Sequence, residues 1–596
     1  MRDHPKRTLL RRGLVASTLA AAGILAAGQP AAAAPSATVT VDFNQSVQAV
    51  SAASFGATIT GYGNGSYITN DAVHRGHVDR LGVGTARFEV GYAVPGDPAS
   101  ALRCGGNYCE TNIPAADWIA AIRQTGAEPL VILPLDGRHD AGIDRTDAVN
   151  IYQHLAASGT PVRQFIIGNE LNNGGNPKNM SAAAYSSRFN LIADALRAVD
   201  PAVRLGGPAT SYYDAAYLET VLAGSGSRMD FVDFHKYGQG GTVNHDDATL
   251  LGDRVRSYGT DIASLRAQIT RLVPGRALGI VIGEYNLDWD SDPRNLTPFN
   301  TVWSAGVLGT ILRGGGTAIQ YGDKNGPLGL TSENDMAGFT RNAPLPIYHG
   351  IGMFTGEGLF RPFGATMVQA SADTTDLHVF ASTGAKNIVL VNTSADATAT
   401  TLRLNGLLAG TAEIWQATTG APQSAGSLTV AGGTGTLTLP GRSVTTLVLT
   451  PANGLTATYA NKAQPGDPVP PATVRRVDPA VAFDWGRSAP AAGINADNFL
   501  ATWTGQVQAD TAGTYTFTTT SDDGVRLWID GKLLVDAWTD HSKRDDSGQI
   551  TLTAGRHDIR MEYYEHGYSA IAQLSWAGPG ITRQIIPATR LWSAAA

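Results

Sequence analysis

The chain has 596 residues, 43% of them hydrophobic and 16% charged, with 69 glycines and a formal net charge of −7. That length exceeds a single hydrophobic core and implies about two to four domains of ordinary soluble composition. The acidic balance argues against nucleic acid and anionic membrane surfaces as partners.

Residues 1–35 stand apart from the rest. "MRDHPKRTLLRR" is basic, "GLVASTLAAAGILAAG" is apolar but short for a bilayer span, and "AAAAP" offers small-residue cleavage sites. This is the pattern of an export signal, with Arg11 and Arg12 pointing to the twin-arginine route and to a secreted, extracellular protein. A membrane anchor is the alternative, but no stop-transfer charges follow. Removing the segment takes the net charge to about −11 and leaves no expected membrane contact. The next stretch, 36–50, contains "ATVTVDFN", whose alternation predicts a strand that joins a β-sandwich formed later in the chain.

Between 51 and 356, short apolar runs alternate with helix-like stretches. The runs are "FGATIT" (55–60), "GTARFEV" (84–90), "PLVILPL" (129–135), "QFIIGNE" (164–170), "RLGGPA" (204–209), "DFVDFHKY" (230–237), "GIVIGEY" (279–285) and "TAIQYGD" (317–323). Continuous hydrophobicity fits parallel strands covered on both faces. Between them, residues 181–200 put Tyr185, Phe189, Ile192, Leu196 and Val199 on one helical stripe behind Ser181 as N-cap. Eight strand–helix units predict a (β/α)8 TIM barrel. A doubly wound open sheet is the alternative, but no Gly-rich phosphate turn follows the first strand. Within this region Cys104 and Cys109, in "RCGGNYCE", are expected to form a small loop disulfide; two thiols alone make a poor zinc site.

From 357 to 452 apolar and polar residues alternate in runs such as "NIVLVNTS" and "VTTLVLTP", predicting an antiparallel β-sandwich. A Pro-rich stretch at 461–474 lies within the start of a third unit, 455–594, which shows no helical pattern and is expected to be an all-β sandwich.

In a TIM barrel, residues at the C-terminal strand ends converge. Strand four ends in Asn169-Glu170 and strand seven in Glu284-Tyr285. Two carboxylates on different strands suit glycoside hydrolysis, which needs one on each flank of the bond. Arg87 on strand two can hold a carboxylate ionised, or merely pair with Glu89. His235 and Tyr237 are two apart on strand six and so share a side. Asp136, Tyr321 and Asp323 end strands three and eight and are candidates for sugar hydroxyls, and Trp289 for stacking on a sugar face.

"IIGNEL" and "IGEYN" resemble the acid/base and nucleophile motifs of clan A glycoside hydrolases. The barrel-then-sandwich order over 37–450 is similar to families 39, 51, 30 and 79 of that clan. The resemblance implies Glu170 as general acid/base, Glu284 as nucleophile, Asn169 on the sugar 2-hydroxyl, Arg87 near the nucleophile, and Tyr237 or His235 as the strand-six helper. Leu171 departs from the proline many members carry there, and no tryptophan closes strand eight. The implied chemistry is retaining, without a catalytic cofactor. An exo-acting pentosidase (an α-L-arabinofuranosidase or β-xylosidase) on plant or microbial poly- or oligosaccharide comes first. The alternatives are a glucuronidase, galactosidase or endo-glucanase of the same clan, or a catalytically dead sugar-binding or adhesive protein. The oligomeric state stays open.

Residues 512–536, "AGTYTFTTTSDDGVRLWIDGKLLVD", and 555–576, "GRHDIRMEYYEHGYSAIAQLSW", resemble a protective-antigen-type β-sandwich, a module attached to bacterial glycosidases and fungal adhesins. The resemblance implies carbohydrate binding, with Asp522 and Asp523 at the position of a Ca²⁺-holding Asp pair. Two carboxylates fall short of the six to eight oxygens Ca²⁺ takes, and a solvated Asp-Asp-Gly turn is the alternative.

Overall fold

The computed structural model describes residues 35–59, 65, 67–104, 113–290, 292–462 and 471–593. All but Pro35 of the expected export signal lies outside them, as does Cys109 and with it the expected disulfide to Cys104.

After an opening strand, β1 (Ser36–Ala49), the chain enters a closed barrel. Its first two staves are β2 (Phe55–Thr58) and β3 (Thr85–Tyr92), and the end of β3 forms a hairpin with β4 (Leu102–Cys104). Then follow β5 (Glu128–Leu133), β6 (Gln164–Ile167), β7 (Arg204–Thr210), β8 (Phe231–Tyr237), β9 (Gly279–Asn286) and β10 (Gly316–Gln320). Every neighbouring pair of staves is parallel, and β2 pairs with both β10 and β3, which closes the ring. The eight expected apolar runs are the eight staves of a TIM barrel, and the open sheet is excluded.

A helix follows each stave: α1 (Ala72–Leu81), α2 (Ala115–Arg123), α3 (Ala141–Ala157), α4 (Ala182–Val199), α5 (Ala215–Ser225), α6 (Val255–Leu272), α7 (Pro298–Arg313) and α8 (Pro346–Thr355). In α4 the Ser181 hydroxyl accepts from Ala184 N, as expected of an N-cap. Tyr185, Phe189, Ile192 and Leu196 are buried, but Val199 is exposed, because the helix stops there, before Asp200.

Alternation along the staves sorts side chains into two cores. Ala86, Phe88, Val131, Leu133, Val232 and Phe234 face outward to the helices. Leu130, Ile132, Ile166, Ala209, Phe231, Val281 and Ile319 face inward and fill the interior. By the same alternation Arg87, Glu89, Asp233, His235 and Tyr237 are on the inward side, so the interior changes from apolar to polar along the strands.

β1 joins the sheet of the second region, as expected, lying between β11 (Thr366–Ala372) and the strand Thr398–Asn405. One feature departs from an antiparallel sandwich: β1 runs parallel to Thr398–Asn405. A strand delivered from far away in sequence needs no hairpin, so its direction is unconstrained by a turn. The sandwich locks onto α7 and α8. A Cβ on Gly309 would lie 2.4 Å from the Phe380 ring, and Thr446 Oγ1 donates to Met353 O at 2.7 Å.

The third region is all-β, with two antiparallel sheets enclosing Tyr459, Trp503, Phe517, Leu527, Met561, Tyr563 and Trp576.

Candidate active site

The polar group at the C-terminal mouth begins with how β6 ends. Gly168 adopts φ +79° and Glu170 φ +52°. A left-handed backbone costs a residue with a Cβ, and such conformations persist where surrounding contacts enforce them. Here Gly168 N donates to Leu133 O at 3.0 Å and Glu170 N to Ala209 O at 2.8 Å. The turn lifts the glutamate out of the strand. Asn176 closes the following loop, its Nδ2 donating to Glu170 O at 3.3 Å.

Glu284 comes from β9, where an extra residue, Gly283, shifts the register so that Glu284 stands level with His235 of β8. One carboxylate oxygen of Glu170, one of Glu284 and a ring nitrogen of His235 all lie within 4.8 Å of one another. Glu284 is only 3% exposed. Arg87 Nη1 donates to its Oε1 at 2.8 Å and the Tyr237 hydroxyl to its Oε2 at 2.7 Å. The same guanidinium donates through Nη2 to Asn169 Oδ1 at 2.6 Å and to His235 Nε2 at 3.0 Å. Arg87 therefore serves the site rather than pairing with Glu89.

These bonds fix the tautomer of His235. Guanidinium can only donate, so in the neutral ring Nε2 accepts and Nδ1 carries the proton. Nδ1 is 2.9 Å from Glu170 Oε1 and 3.4 Å from Glu284 Oε2. Burial lowers the His235 pKa, but the Glu284 charge and the Glu170 bond outweigh it and hold the pKa above the ordinary value. Burial likewise pushes Glu170 up, while the His235 bond and the His235 and Arg87 charges pull it below the ordinary carboxyl value. Deeper in, Asp233 is fully buried and pushed up to about 6 by burial, against the pull of Arg87 and His235. Nothing in the sequence singled it out beyond its inward register with His235.

The remaining candidates separate. Tyr321 packs edge-on against Tyr237, ring centroids 6.1 Å apart. Trp289 is 60% exposed and its ring lies over Gly240, where a Cβ would touch it. Asp136 is held by Arg138 through bonds of 2.6 and 2.9 Å, which bring its pKa down to about 2. Asp323 does not present itself to a substrate. It is buried 2.9 Å from Nε2 of His74, a residue of α1.

Two glutamates and a histidine are also a donor set for a divalent cation. At Glu284, however, the Arg87 guanidinium already supplies the positive charge.

With this geometry established, comparison with known proteins bears on the separate regions. Residues 451–590 match the PA14 domain. The anti-sigma-I factor RsgI3 of Acetivibrio thermocellus is 46% identical over 118 residues, 20% of this chain and 18% of that protein. The chain thus spans under a fifth of the length of that relative. Among solved structures, an arabinofuranosidase superposes with a TM-score of 0.57 at 16% identity, covering 70% of this chain and all of its own. The α-L-arabinofuranosidase of Thermotoga maritima, in an arabinose complex, gives 0.56 at 17% with the same coverage. CelM2, a bifunctional glucanase-xylanase from a metagenome library, gives 0.53 at 17%, again with the same coverage. At these identities the likeness establishes a shared fold.

In the PA14 domain, both oxygens of Asp523 accept backbone N–H groups, from His541 and His566, each at 3.0 Å. Glu565, 2% exposed, accepts from the Tyr563 hydroxyl at 2.8 Å through Oε2, while Oε1 has no hydrogen-bond partner among the described residues. Burial, followed by the Asp523, Asp522 and Asp497 charges, pushes its pKa to about 8 against the Tyr563 bond.

Proposed function

We propose that the chain is a secreted retaining glycoside hydrolase with Glu284 as nucleophile and Glu170 as general acid/base. The observation that carries this reading is the approach of the two carboxylates to within 4.8 Å at the barrel mouth. Retaining enzymes keep the pair about 5–5.5 Å apart, whereas inverting enzymes leave about 6.5–9.5 Å for a water.

The surroundings divide the labour. Arg87 and Tyr237 both donate to Glu284, keeping it ionised and aimed. Glu284 attacks the anomeric carbon as the bond to the departing oxygen breaks, and Glu170 gives that oxygen its proton. Water then attacks the glycosyl–Glu284 ester, losing its proton to Glu170, and Glu284 leaves as carboxylate. Asn169, whose Oδ1 is taken by Arg87, directs its Nδ2 as donor to the sugar 2-hydroxyl. Before substrate arrives, His235 and Arg87 favour the ionised form of Glu170. A sugar seated against Glu170 excludes water and raises its proton affinity. No cofactor enters these steps.

We assign the substrate to pentose linkages, in the manner of an α-L-arabinofuranosidase or β-xylosidase, with exo action. The motif resemblance and the fold shared with arabinofuranosidases support this. The export signal supports secretion, and the PA14 domain, with Ca²⁺ at Asp522 and Asp523, is assigned to carbohydrate binding. A panel of nitrophenyl glycosides and polysaccharides tests the reading. Hydrolysis of at least one pentoside is expected, falling by at least about 10⁴-fold in Glu284→Ala while circular dichroism stays unchanged. Near-normal activity in that variant would refute the assignment.

A further inference from the structure

A carboxyl group with no hydrogen-bond partner among the described residues stands beside Glu170. Glu89 is two residues beyond Arg87 on β3 and shares its inward side. It is 6% exposed, yet no described residue donates a hydrogen bond to its carboxyl group. Burying such a group without a partner is costly, and sites that tolerate the cost are often completed by a ligand. Lys178, in the loop between β6 and α4, is in the same position: its amine bonds to no described residue. Its backbone is nonetheless pinned, Lys178 N donating to Asn176 Oδ1 at 2.9 Å and Gly137 N to Lys178 O at 3.3 Å.

Both residues line two adjoining cavities. The first, of about 220 Å³, is bounded by Glu89, Lys178, Pro134, Asn169 and Glu170. The second, of about 280 Å³, continues from Glu89, Lys178 and Pro134 to Tyr92 and His139. Glu284 lines neither. The groove therefore leaves the catalytic pair on the Glu170 flank, where a proton donor meets the departing oxygen.

Charge decides what sugar suits it. Arg138 neutralises Asp136, and Arg188 neutralises Asp144. Lys178 is set against Glu89, so no excess of positive charge remains to attract an acidic polymer. Burial pushes the Glu89 pKa above the ordinary carboxyl range, with Lys178 and Arg87 drawing it back.

We propose that Glu89 and Lys178 form a subsite that grips a neutral sugar on the leaving-group side of the scissile bond, through hydrogen bonds to its hydroxyls. This rests on Glu170 being the proton donor. It makes an oligosaccharide or polysaccharide, rather than the glycoside of a simple alcohol, the substrate for which the cleft is built.

The test compares wild type with Glu89→Gln, Glu89→Ala and Lys178→Ala. Each is assayed on a nitrophenyl glycoside and on neutral oligosaccharides of the arabino, xylo, cello and galacto series, with melting curves to confirm folding. In each variant the ratio of oligosaccharide to aryl-glycoside kcat/KM is expected to fall about 10- to 100-fold, the loss of a hydrogen bond to a buried polar group. Calorimetry should show weaker oligosaccharide binding in parallel. An unchanged ratio in folded variants would overturn the proposal, whether both rates drop together or neither does. If wild type binds these sugars through Glu89 but cleaves no glycoside, the hydrolase reading fails and takes the leaving-group assignment with it, while a sugar-binding site at Glu89 and Lys178 remains. If wild type neither binds nor cleaves, both fall.

Discussion

Arg87 bonds to Glu284, Asn169 and His235 at once, which makes protonation in the site a shared property. The clearest consequence concerns Glu170. Its free-enzyme pKa is held below the ordinary value by His235 and Arg87 against burial. An acid catalyst must be protonated, so kcat/KM falls as pH rises through that depressed value, giving an acidic optimum. His235→Asn removes the largest lowering influence and leaves burial in place. The alkaline limb of the kcat/KM profile should therefore move to higher pH, and a limb that stayed put would separate His235 from Glu170. Much of this was legible: a glutamate closing an apolar run on two different strands, an arginine, and a His-x-Tyr pair. Glu89, Asp233 and Lys178 were not. A buried carboxyl group on the inward register looks in sequence like any strand residue until the barrel shows which way it faces. Asp323 misled for the converse reason: it ends a strand, but its carboxylate turns to His74 on α1.

At the level of elements, α4 positions the acid. Its Ser181 cap and apolar stripe seat Tyr185 beneath β6, where the hydroxyl donates to Ile167 O at 2.8 Å, three residues before Glu170. Tyr185→Phe strands a buried carbonyl and should cost about 1–3 kcal/mol of unfolding free energy, measurable by urea titration. It should also lower kcat more than it changes KM, since the Gly168–Glu170 turn loses its anchor. A loss below about 0.5 kcal/mol, within the range of an ordinary surface change, would show that the bond holds nothing in place. The helix and its cap were readable because period and capping chemistry agree. The direction of β1 was not, because alternation marks a strand without saying which neighbour it will pair with or how it will run.

At the scale of the whole molecule, barrel and sandwich share packing. The large core that surrounds the staves includes Met367, Phe380, Val389, Val391 and Val444 of the second region. The core of the PA14 domain holds residues from Leu455 onward alone. Calorimetry should resolve two transitions, one for barrel with sandwich and one for the PA14 domain, and a chain ending at residue 452 should lose only the second. One transition for the full chain would mean that the three regions unfold together. Region order was visible in the texture of the sequence, while the close approach of Phe380 to Gly309 that couples two of them was not. What matters most remains the role of the two glutamates, and covalent trapping addresses it directly. The enzyme is incubated with a 2-deoxy-2-fluoro glycoside of the sugar it hydrolyses, digested, and mapped by mass spectrometry. A glycosyl adduct on Glu284 is the expected result. An adduct on any other residue, or turnover with inversion at the anomeric carbon, would contradict it.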